Sequence, residues 1–150
     1  MNVSLQDWQR NGWLIEHRTS QKEIADLLGM ADRDLAQCQT PHLSPDWQLS
    51  IAFNAALQVA IAALAAAGYR ASREAHHYRV IQSLAYTIKP DQRLITQLDK
   101  FRKKRNISGY ERAGAVSKQE AKEMFGLAKN LRKETDKWLR SNYPDLCAFA

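Results

Sequence analysis

Ser44-Pro45-Asp46-Trp47-Gln48-Leu49-Ser50-Ile51-Ala52-Phe53-Asn54-Ala55-Ala56-Leu57-Gln58-Val59-Ala60-Ile61-Ala62-Ala63-Leu64-Ala65-Ala66-Ala67-Gly68 reads as a single helix with both ends marked. Ser44 caps it, Pro45 takes the first helical position, and Asp46 places a negative charge in the first turn. After Ala67, Gly68 can adopt the left-handed conformation that ends a helix. Between these ends the segment is apolar around most of its circumference, as expected of a central helix covered by other helices. Its alanines let those neighbours approach closely. The most apolar run, 55–67, contains Gln58 and is shorter than the ~20 residues of a membrane span. Asn54 and Gln58, one turn apart, form a polar stripe suited to a site, a dimer seam or a core hydrogen bond.

Working outward, Ser20-Gln21-Lys22-Glu23 is a capping box that opens a second helix. Ile24, Leu27, Leu28, Ala31, Leu35 and Cys38 keep helical spacing until Thr40-Pro41. Ser117-Lys118-Gln119-Glu120 is another capping box. The helix behind it carries Ala121, Met124, Phe125, Ala128, Leu131, Thr135, Trp138 and Leu139 on one face, and Tyr143-Pro144 stops it. Its other side carries Lys122, Lys129, Lys133, Lys137 and Arg140, either a solvated face or a track for a phosphate backbone. A helix over 73–88 follows the connector Tyr69-Arg70-Ala71-Ser72, with Ser72 as its cap. A further helix starts at Asp91, and 111–116 is a loop. Near the N-terminus, Ser4 and Asp7 start a short helix with Trp8, and Trp13-Leu14-Ile15 is an arm packed on the body. No strand alternation or repeat is visible. The expected fold is all-α: a four- to five-helix up-and-down bundle with a short N-terminal helix. The expected divisions are an N-terminal arm over 1–19, the bundle over 20–141 and a tail over 142–150.

A chain of 150 residues with 45 % hydrophobic and 25 % charged residues is long enough for one core. The net charge of +6 points to an anionic partner, nucleic acid first. Cys38 and Cys147 show neither CxxC nor metal spacing, so no disulfide framework or metal site is expected, and Cys38 reads as a buried thiol. No secretion signal is visible, which leaves a cytoplasmic protein with no membrane contact as the expectation.

The chemistry concentrates in Phe101-Arg102-Lys103-Lys104-Arg105-Asn106-Ile107-Ser108-Gly109-Tyr110. Leu94, Leu98 and Phe101 share one helical face, and Arg105 takes the next place on it. A guanidinium keeps its proton, so burial obliges it to find partners or an anion. Asn106 adds hydrogen-bonding capacity, and Gly109 would let the chain turn so that Tyr110 swings back. His76 and His77 point about 100° apart on a helix and cannot clamp one metal together.

Arg105-Asn106-Ile107-Ser108-Gly109-Tyr110 resembles the signature region of the HEPN (higher eukaryotes and prokaryotes nucleotide-binding) superfamily, an Arg followed by a polar residue and then a His. Gly68-Tyr69-Arg70, His76-His77-Tyr78, Leu84 and the Trp138-Leu139 helix end are similar to a prokaryotic branch, and the likeness spans roughly residues 20 to 141. The resemblance implies a homodimer with paired arginines facing across a cleft. It also implies either a metal-independent ribonuclease of toxin–antitoxin or anti-phage type, or a non-catalytic module for nucleotide, RNA or a partner such as an antitoxin or nucleotidyltransferase. It requires no cofactor. In such a nuclease Arg105 would stabilise the transition state as the RNA 2′-OH attacks the adjacent phosphorus, with Asn106 orienting the phosphate. Tyr110 stands where the family has its His, and a phenol is a poor base at neutral pH. Three readings stay open: Tyr110 orients the substrate in a slow or conditional nuclease, His76 or His77 supplies the missing group from the neighbouring helix, or the domain has lost catalysis and keeps only binding. Arg102, Asn54 and Gln58 are the accessory candidates. Lys103, Lys104, Lys122, Lys129 and Lys133 would contribute affinity for RNA.

Overall fold

The computed structural model describes residues 4–110 and 116–147, and for 106–110 the backbone only. Its helices are α1 (Leu5–Arg10), α2 (Gln21–Gln37), α3 (Pro45–Ala66), α4 (His76–Ser83), α5 (Gln92–Tyr110) and α6 (Lys118–Asn142), closed by a 3₁₀ turn at Pro144–Leu146. The all-helical bundle with a short N-terminal helix is the architecture the pattern implied. The loop expected over 111–116 lies largely outside the described residues.

Local chemistry sets the helix starts. The Ser20, Ser44 and Ser117 hydroxyls each accept the backbone N–H three residues on, and Glu120 closes the Ser117 box by accepting the Ser117 N–H at 3.0 Å. Helix α3 is the hub, packed most extensively against α2 and α6 and also touching α4 and α5. It is long and apolar enough to span a membrane, yet 72 % of its most apolar window is buried within this chain. Eight of its alanines line that buried surface together with Leu49, Phe53, Leu57, Val59 and Leu64. Cys38 is buried, donates weakly to the Gln48 carbonyl, and has its pKa pushed up to about 11 by desolvation and then by Asp34.

Two expectations need correction. Strands are present: β1 (Leu14–Glu16) pairs antiparallel with β2 (Tyr69–Ala71), Ile15 opposite Arg70. The ribbon joins the N-terminal arm to the segment read as a connector. Trp8 and Leu14 complete the core, and the Arg79 guanidinium stacks over the Trp13 ring at 3.7 Å. Second, α4 covers only eight residues and lacks a serine cap. Ser72 is drawn away by the arm, its hydroxyl donating to the Gly12 carbonyl at 2.7 Å, and Ala75 enters the helix left-handed. Past Ser83, whose hydroxyl donates to the Val80 carbonyl, the backbone tightens into turns with N–H groups reaching back three residues, as far as Thr87.

Candidate functional site

Helix α5 buries Leu94, Ile95, Leu98 and Phe101, and its apolar stripe then delivers Arg105, half-buried, against α3. The Arg105 guanidinium lies 5.2 Å from the centroid of the Phe53 ring, which is itself 1 % exposed. A cation over a ring face gains electrostatically there, most where water is excluded. Desolvation lowers the Arg105 pKa, but a guanidinium remains charged at neutral pH.

His77 joins this cluster from α4, its ring 6.4 Å from Phe53. Although His77 is an exposed residue, desolvation lowers its pKa, followed by the charges of His76, Arg105 and Arg102. The neutral imidazole is therefore favoured at pH 7. Arg102 donates to Asp99 at 2.8 Å and lies 5.5 Å from the Tyr78 ring. Lys103 shares Asp99 at 3.5 Å, and Lys104 pairs with Glu120 at 3.5 Å. Three cations of the basic run thus have carboxylates on their own chain. Asp99 and Phe53 escaped the sequence reading. An acid three residues before Arg102 was a usable signal for the first; nothing local announced the second.

The two histidine rings meet edge-to-face, 5.7 Å apart, but have different further neighbours. His76 lines a cavity of about 290 Å³ with His17, Glu23 and Arg70. There Glu23 accepts from Thr19 at 2.7 Å and lies 2.7 Å from His17 Nε2; the Thr19 and His17 contacts hold its pKa down. His77, not His76, is the imidazole beside Arg105. Asn54 and Gln58 are half-buried, and neither side chain hydrogen-bonds to a described residue, so a satisfied core pair is not what they form. Helix α5 continues through Gly109 to Tyr110, so the turn expected at Gly109 does not occur. The side chains of Asn106 and Tyr110 lie outside the described residues.

On α6, Lys122, Lys129, Lys133, Lys137 and Arg140 are all exposed. The stripe is not uniformly basic. Asp136 takes Arg140 at 2.9 Å, and Arg132 bridges to Asp32 of α2 through two hydrogen bonds of 2.8 and 3.2 Å. Lys129, Lys133 and Lys137 flank the groove this leaves between α2 and α6.

Among the described residues, no three His, Cys, Asp or Glu side chains gather as a metal ion would require. No protein-family model, curated protein or solved structure matches this chain.

Proposed function

We propose that this chain is a HEPN-like domain that binds RNA through Arg105 and cleaves it without a metal ion, acting in the cytoplasm as a dimer in a toxin–antitoxin or anti-phage setting. The observation that carries the reading is the juxtaposition of a half-buried guanidinium with a neutral-leaning imidazole, Arg105 and His77. In this reaction His77 takes the proton from the ribose 2′-OH, whose oxygen attacks the adjacent phosphorus. The P–O5′ bond breaks, leaving a 2′,3′-cyclic phosphate, and the departing 5′-oxygen is protonated by water. Arg105 offsets the charge that builds on the phosphoryl oxygens. Asn106 orients the phosphate, and Tyr110 positions the substrate in place of the family's His.

The test is cleavage of single-stranded RNA in excess chelator. Cyclic-phosphate ends should appear, and an oligonucleotide with 2′-deoxyribose at every position should stay intact. Cleavage that vanishes on chelation, or that spares no deoxy substrate, would refute the mechanism.

The second reading, a non-catalytic module for RNA, nucleotide or a partner such as an antitoxin or nucleotidyltransferase, is favoured by one fact, Tyr110 in the position of the His. Binding that depends on Arg105 with no cleavage by the intact chain would select it.

Two further results are expected. The rate should fall with acidity only below the ordinary imidazole value of ~6.5, as His77 protonates. Arg102→Ala removes one of the charges that disfavour the imidazolium, so it should move this limb to higher pH. An NMR titration of the His77 ring should move in parallel; a limb that stays put would remove His77 as the base. On α6, replacing Lys129, Lys133 and Lys137 together by Gln should reduce the slope of log K against log salt by about 2, at ~0.7 per neutralised phosphate on a single strand. An unchanged slope would make the stripe plain surface.

A further inference from the structure

A second concavity lies at the other end of α6. Lys104, adjacent in sequence to Arg105, meets Glu120 near the start of that helix, and Trp138 is 18 residues further on, about 27 Å along the axis at ~1.5 Å per residue. There Tyr69, Tyr86, Trp138 and Tyr143 line a cavity of about 730 Å³. That size lies within the ~300–1,000 Å³ typical of small-molecule sites. We propose that this cavity binds a planar aromatic carboxylate, its ring held among the four aromatic side chains and its charge facing Lys89.

Three of the four rings are braced in advance by aromatic neighbours. Trp138 and Tyr143 meet edge-to-face at 5.3 Å, and Tyr86 is braced in the same manner at 5.3 Å by the buried Trp8. Such rings offer faces and edges to a guest with little ordering cost. None of the three tyrosine hydroxyls hydrogen-bonds to a described residue, so they remain open to a ligand's oxygens.

Charge selects the guest further. Lys89 is the one Lys, Arg, Asp or Glu among the described lining residues. No described carboxylate is paired with it. A lone ammonium matches a monoanion; a phosphate monoester, near −2 at neutral pH, would leave charge uncompensated. The Lys89 backbone is left-handed at φ 56°, its N–H donates to the Leu84 carbonyl at 2.9 Å, and Pro90 follows. A non-glycine residue rarely adopts that conformation, and here it fixes where the lysine stem leaves the chain.

The experiment titrates the intact chain by calorimetry with three indoles that differ in charge: indole-3-acetate, indole-3-acetamide and tryptamine. Indole-3-acetate should bind saturably and at least tenfold more tightly than tryptamine, with the amide between them. Lys89→Gln, at an exposed position, should bring acetate and amide to within about twofold. Arg105→Ala should leave all three affinities unchanged, which separates this site from the phosphate site. Absence of saturable acetate binding at millimolar concentration, or an order of affinities untouched by Lys89→Gln, would overturn the proposal.

Discussion

Phe53→Ala should lower the free energy of unfolding by about 3–5 kcal/mol, the range for removing a buried aromatic ring from a close-packed core. Phe53 is 1 % exposed and sits on the helix that every other long helix touches. Alanine there removes apolar contact and leaves a void that α3 cannot close, because its other contacts already fix its position. The change also takes away the ring beneath the Arg105 guanidinium, a contact of about 0.5–2 kcal/mol depending on its exposure to water. Phe53→Leu separates the two effects. It keeps most of the apolar volume and should cost about 1.5 kcal/mol or less if the neighbours repack, while still removing the ring face. Urea denaturation followed by circular dichroism measures both, read from the midpoint at constant slope. A Phe53→Ala variant within about 1 kcal/mol of the parent, where surface substitutions fall, would contradict the packing of α3 described above.

The helix starts were legible because each rests on chemistry within three residues: a serine hydroxyl, an exposed N–H and, at Ser117, a returning glutamate. The burial of α3 was legible because apolar residues cover most of its circumference. The ribbon was not, since two three-residue strands separated by more than fifty residues carry no alternation to read. Helix α4 was overestimated for a related reason. Ser72 looked like a cap until the fold brought the Gly12 carbonyl to its hydroxyl, a contact no local rule contains. At the candidate site, helical spacing correctly placed Arg105 on the buried face of α5. The same geometry showed that His76 and His77 must diverge, but only packing decides that His77 meets Phe53 while His76 enters the cavity with His17 and Glu23. The aromatic cavity gathers residues from β2, the turns after α4 and the end of α6, so its members are unrelated in sequence.

Arg105→Ala should reduce RNA cleavage by roughly 10²–10³-fold, the loss seen when one preorganised donor to a developing anion is removed. Two features place Arg105 at the upper end. Its charge is half-desolvated, so each interaction with a phosphoryl oxygen is screened less than at the surface. Its Phe53 contact also constrains the guanidinium before substrate arrives, which spares ordering at the moment of reaction. Arg105→Lys tests whether charge alone suffices. An ammonium is a point charge without the planar fork, so it should restore affinity more than rate. Arg105→Ala relieves the burial cost of a half-desolvated cation and gives up the Phe53 ring contact among its interactions, so folded protein is quantified for each variant. Single-turnover cleavage with saturating enzyme separates the chemical step from binding. Equal rates for the Arg, Lys and Ala chains, at equal amounts of folded protein, would show that the guanidinium does not act on the transition state. Arg105 would then be a packing residue that happens to carry a charge.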